Sequence, residues 1–102
     1  MFDDNYLVND GSSEAEERLA KVLLQLEEVA ERLGVKIVSD DLAIGEQNAK
    51  SGACFFRGAT YIILDRKLNT GERIRVLIRE LAKFDLDGIY IPPQIRELIR
   101  PE

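Results

Sequence analysis

The residues best suited to chemistry fall in one run. Arg79-Glu80-Leu81-Ala82-Lys83 sets a carboxylate between two cations, and Arg75, Arg79 and Lys83 recur every four residues. On a helix that spacing lines the three cations along one side. Two chemistries follow. Glu80 could act as a general acid or base in a hydrolase that needs no metal of its own, and the stripe could hold an anion or an acidic partner. The plainer reading is a solvated helix face with local ion pairs. Like charges so spaced repel by a few tenths of a kcal/mol per pair. Glu72, three residues before Arg75, Glu80, three before Lys83, and the helix C-terminus near Lys83 are the groups that could offset this.

Other chemistry is narrowed by what the chain lacks. There is no histidine among its 102 residues, which removes the Ser-His-Asp triad, the Cys-His pair and the usual catalytic zinc site. The single cysteine, Cys54, allows no intrachain disulfide and no CxxC site; it reads as a buried, inert thiol on a strand. Asp40, Asp41 and Glu46 share a loop but lack the spacing of a calcium loop. Asp85 and Asp87, just before Gly88, read as helix-terminating residues rather than paired catalytic acids.

The elements that must position these residues can be traced from the N-terminus. Residues 1–12 form a lead-in that could dock through residues 6–8. Ser13 and Glu16 have the spacing of a capping box. From there Leu19, Val22, Leu23, Leu26, Val29, Ala30 and Leu33 fall at helical spacing, and Gly34 supplies the left-handed stop. Residues 35–38 make a short β-branched strand, followed by a polar loop in which residues 42–44 could tuck under. Residues 53–57 and 60–64 flank Gly58 as a hairpin. The second of these runs is apolar on both faces, as a central or doubly covered strand would be.

A second helix opens at Asn69, whose spacing to Glu72 repeats the capping box. Its stripe is Ile74, Leu77, Ile78, Leu81, Ala82 and Phe84, and it fades over residues 85–88. Ile89, Tyr90 and Ile91 then form a short extended piece ahead of Pro92 and Pro93. A last helix over residues 94–100 carries Ile95, Leu98 and Ile99 on one side. The fold class is α+β: a long N-terminal helix, a small, mostly antiparallel three-stranded sheet, a second helix and a short C-terminal helix in one domain, with residues 85–102 as an extension.

The run YIILDRKLNTGERIRVLIRELAKF, residues 61–84, resembles the strand, capped loop and active-site helix of the ImmA/IrrE-type zincin-like metallopeptidases. The long helix ending in Leu-Gly, the strand VKIV and the Gly-bearing hairpin precede it in the same order, so the resemblance spans residues 14–84. It implies the zincin scaffold, with the second helix in the active-site position. In that family the helix carries H-E-L-G-H, two histidines holding zinc around a general-base glutamate. Here Arg79 and Lys83 stand at the ligand positions and only Glu80 remains. The resemblance therefore implies a relative without the metal site, with no catalytic residues, no cofactor and no metal.

Net charge is −5, divided as −8 over residues 1–49 and +3 over residues 50–102. The overall sign, and the lack of a nucleic-acid-binding motif, argue against DNA or RNA as partner. No signal segment and no membrane span are legible, and a lone cysteine suits a reducing cytoplasm. The functional expectation is a non-enzymatic binding or regulatory module working through protein–protein contact or homodimerisation. The stripe Arg75, Arg79 and Lys83 is one candidate surface. The segment Ile89, Tyr90 and Ile91 is another: it could fill the cleft left by the missing metal site, or offer an edge to a second chain. The alternative is a metal-independent or carboxylate-dependent hydrolase using Glu80.

Overall fold

The first element described is helix α1, Gly11–Leu33, in a computed structural model that describes residues 11–40 and 51–99. The expectations for residues 1–10, for residues 42–44 and for Asp41 and Glu46 lie outside that range. The backbone is already helical at Ser13, so Ser13 is not the cap. Leu26, Val29 and Ala30 are fully buried, as their spacing requires, but Leu19 is 41% exposed: the N-terminal half of α1 extends past the elements it packs on. Gly34 stops the helix in the left-handed region (φ +80°), its N–H donating to the Glu31 carbonyl at 3.0 Å.

Three strands follow: β1, Val35–Asp40, β2, Gly52–Phe56, and β3, Ala59–Asp65. Their order in the sheet is β1-β3-β2. The apolar strand β3 is central, with Ile62 and Leu64 fully buried and Tyr61 and Ile63 partly so. The hairpin supplies the antiparallel ladder, Phe56 facing Ala59 through to Gly52 facing Ile63. On the other side β1 joins in parallel, Val35 facing Thr60. The two-residue turn has positive φ at both Arg57 (54°) and Gly58 (80°), the type I′ geometry whose twist matches the strands.

That turn yields a clean test. A Cβ on Gly58 would meet nothing within 4 Å, so Gly58→Ala costs only the left-handed backbone penalty, about 1 kcal/mol. The expected result is a lower midpoint in equilibrium urea unfolding; an unchanged midpoint would contradict the turn.

Helix α2, Thr70–Leu81, is capped by Asn69 as the spacing predicts. The Glu72 N–H donates to Asn69 Oδ1 at 2.8 Å, and the Asn69 N–H donates to Glu72 Oε1 at 2.9 Å. The helix ends sooner than its apolar stripe suggests: the last turns tighten to Lys83 N–H on the Glu80 carbonyl and Phe84 N–H on that of Leu81. Helix α3, Pro93–Ile99, starts at a proline, which suits the first turn. The segment 89–91 is not a strand.

The core joins Leu26 and Val29 of α1, Ile62 and Leu64 of β3, Leu77 and Leu81 of α2, and Ile91, Ile95 and Ile99. Within it α1 packs on α2 and β1, α2 on β2 and β3, and α3 on both longer helices. Leu98, expected on the buried side of the last helix, is 43% exposed, because Ile95 and Ile99 define the inward face of so short a helix. Among the described residues no helix is long and apolar enough to cross a membrane. The architecture is α+β, with the long helix first and the short one last.

Candidate functional site

Helix α2 buries a wide face, and Glu80 lies on it one turn after Val76. Only 5% of Glu80 is exposed, and it is the one buried charged residue among those described. Two cations meet its carboxylate. Arg79 Nε donates to Oε2 at 3.0 Å, and Lys83 Nζ donates to Oε1 at 3.3 Å and Oε2 at 3.4 Å. Both cations remain more than half exposed. Arg79 also reaches the sheet, its Nη2 donating to the Ser51 carbonyl at 3.1 Å. Ser51 Oγ in turn accepts the Asp65 N–H at 2.8 Å. The carboxylate lies against the first residue of β2: a Cβ on Gly52 would come 3.7 Å from Glu80 Oε2.

Burial alone would raise the pKa of Glu80. The hydrogen bonds from Arg79 and Lys83, with their charges, outweigh it and hold the carboxyl below the usual glutamate range. A carboxylate so stabilised is a weaker proton acceptor, whereas a general base works best with a pKa near the working pH. In this arrangement Glu80 holds Arg79, and it is the Arg79 guanidinium that joins the end of α2 to Ser51, just before β2.

The stripe of three cations is divided by this geometry. Lys83 lies beyond the end of α2 and turns back to Glu80, which neutralises one of the two cations it binds. Arg75 instead lines an open groove of about 660 Å³ between α1 and the start of α2, with Glu16 and Leu19 on the opposite wall. Glu72 serves the cap at Asn69. The ion pair of Lys83 with Glu80 is the one the spacing anticipated; the bond from Arg79 to Ser51 spans 28 residues and has no local signature.

The segment 89–91 is divided as well. Ile91 is 3% exposed and belongs to the core, with the half-buried Ile89 packed against it. Tyr90 points outward, 67% exposed. The Arg32 guanidinium lies 5.9 Å from its ring centroid and donates to its carbonyl at 3.5 Å. The segment therefore docks beside the end of α1, while Glu80 faces β2.

Asp85 accepts the Asp87 N–H at 3.1 Å, the turn expected of helix-terminating aspartates. Among the described residues no three acids or cysteines gather as a metal site.

Cys54 is exposed, contrary to the buried thiol expected, because β2 is an edge strand. The same edge carries the residues that sequence reasoning missed: Phe55 is 73% and Phe56 56% exposed. Their signal was indirect. A hairpin whose second strand is apolar on both faces places that strand inside the sheet and leaves the first free to be the edge. Comparison with protein-family models, with curated proteins and with solved structures gives no match in any of the three, so the zincin-like resemblance rests on the order of motifs in residues 14–84 alone.

Proposed function

We propose that this chain is a non-enzymatic binding or regulatory module, a zincin-like scaffold without the metal site, that acts in the cytoplasm through protein–protein contact at the outer edge of β2. The observation that carries this reading is an edge strand without charge of its own that leaves Phe55 and Phe56 more than half exposed, the Phe56 ring lying 5.2 Å from the Arg57 guanidinium. Proteins ordinarily guard such edges with charges, prolines or bulges, and exposed apolar surface of this kind marks interaction sites. The state of Glu80 weighs in the same direction. Its carboxylate is engaged by Arg79 and Lys83 and sits below the ordinary pKa range, a poor starting point for the hydrolase alternative.

The test has two arms. Purified full-length protein incubated with a mixed peptide library should leave the peptides intact. Peptides selected from the same library for binding should lose their binding to Phe55→Glu. Hydrolysis that disappears in Glu80→Gln would reverse the proposal, as would selected peptides that ignore the substitution in β2.

A further inference from the structure

We infer that the partner at this edge is a second copy of the same chain, its β2 laid antiparallel on the first about a two-fold axis through Cys54. The inference rests on the binding reading above and deepens it.

The hairpin register decides which backbone groups face outward. In a two-residue hairpin the residues flanking the turn, Phe56 and Ala59, exchange both hydrogen bonds, and bonded and non-bonded pairs alternate from there. Phe56, Cys54 and Gly52 therefore bond inward to β3. Ala53 and Phe55 turn their N–H and C=O groups outward, and among the described residues no strand lies on that side. Two such edges placed antiparallel pair Ala53 with Phe55 of the second copy, and Phe55 with its Ala53. Both are hydrogen-bonded pairs, and Cys54 meets Cys54 between them at a non-bonded position.

Side-chain size selects this register. The strand runs Gly-Ala-Cys-Phe-Phe, small to large about its centre. Reversed on itself, it sets Phe55 beside Ala53 and Phe56 beside Gly52, each ring next to a residue smaller than itself. The strand is uncharged in a chain with 32% charged residues, so no like charges meet within it. The area is modest. The exposed parts of two rings amount to roughly 250 Å² per copy, or roughly 500 Å² over both copies, well short of the roughly 1,200 Å² in total at the low end of stable interfaces. The dimer therefore forms reversibly with concentration. Each copy carries −5, so added salt screens the repulsion and favours pairing, the opposite of what an acidic partner drawn to Arg57 and Arg79 would show.

The experiment is sedimentation of the reduced full chain from micromolar to millimolar concentration, at low and high salt, with diamide crosslinking in parallel. The expected result is a mass rising from monomer to dimer, more readily at high salt. Diamide, which takes up the two protons and two electrons released as two thiols join, should give a covalent dimer through Cys54. A non-bonded antiparallel pair has the Cα separation that a disulfide needs. Phe55→Pro removes one outward N–H and no bond to β3. It should keep its circular dichroism spectrum, remain monomeric throughout, and crosslink no faster than the wild-type chain in urea. Reduced wild-type protein that stays monomeric at millimolar concentration overturns the second copy. If that monomer still binds the selected peptides, the binding reading survives; if it binds none, both fall. A reduced dimer that Phe55→Pro leaves intact also overturns the proposal, because the pairing then lies elsewhere.

Discussion

Replacing Ile95 with alanine is expected to lower the unfolding free energy by about 2–4 kcal/mol, a large part of the 5–15 kcal/mol typical of a domain. Ile95 is fully buried, between Ile91 at 3% and Ile99 at 1% exposure, on a helix of seven residues. A helix that short has little stability of its own; its packing on α1 and α2 holds it in place. Removing three carbons from its central anchor opens a cavity where three elements meet. Leu98, on the same helix but 43% exposed, is the internal control, and Leu98→Ala should cost less than about 1 kcal/mol. Urea unfolding of the two variants, with hydrogen exchange over residues 89–99, separates the sites. Equal losses would mean that the C-terminal segment is not packed as described. The same contrast bears on function: a segment anchored by Ile91, Ile95 and Ile99 cannot release Ile89 and Ile91 to a partner without giving up part of the core.

What could be read from the residues follows the range of the interactions involved. The capping box at Asn69, the stop at Gly34 and the ion pair of Lys83 with Glu80 each lie within three or four positions, where spacing alone dictates geometry. The central place of β3 was also legible, since an apolar run on both faces has to be covered. The direction of β1 was not. A short β-branched strand reads the same whether it joins parallel or antiparallel, and the choice depends on how the intervening chain returns. Leu19 shows a second limit: helical periodicity marks the side that could be buried, not how far along the helix a partner extends. Phe55 and Phe56 show a third, because apolar residues in a strand suggest burial until the strand order puts them at an edge. The tie from Arg79 to Ser51 links positions that only the fold brings together, so helical spacing assigned Arg79 to a cationic stripe rather than to the ion pair it makes.

The Glu80 cluster makes its own prediction in acid. Glu80→Gln keeps the shape and a hydrogen-bond acceptor but removes the charge that two donors share. Hydrogen bonds to a charged group contribute about 1.5–3 kcal/mol, and Arg79 and Lys83 are more than half exposed, so solvent screening reduces the loss. The expected cost at neutral pH is about 1–2 kcal/mol. The sign of its pH dependence follows from the direction of the shift. The carboxyl is held below its ordinary value in the folded chain, so the unfolded chain takes up its proton first as pH falls. The contribution of Glu80 is thus fully present above the ordinary glutamate pKa of the unfolded chain and is lost as pH drops through the lower folded one. Wild-type protein and Glu80→Gln should differ by a constant amount near neutrality and converge in acid, with the wild type showing the steeper fall. Urea unfolding at a series of pH values reads this directly, since the other carboxylates are common to both proteins and cancel in the difference. Curves that stay parallel from neutral pH into strong acid would show that the carboxylate gains nothing from its two cations. Convergence shows that the Glu80 carboxylate draws stability from Lys83 and from Arg79, the residue that carries the bond from the end of α2 to the Ser51 carbonyl just before β2.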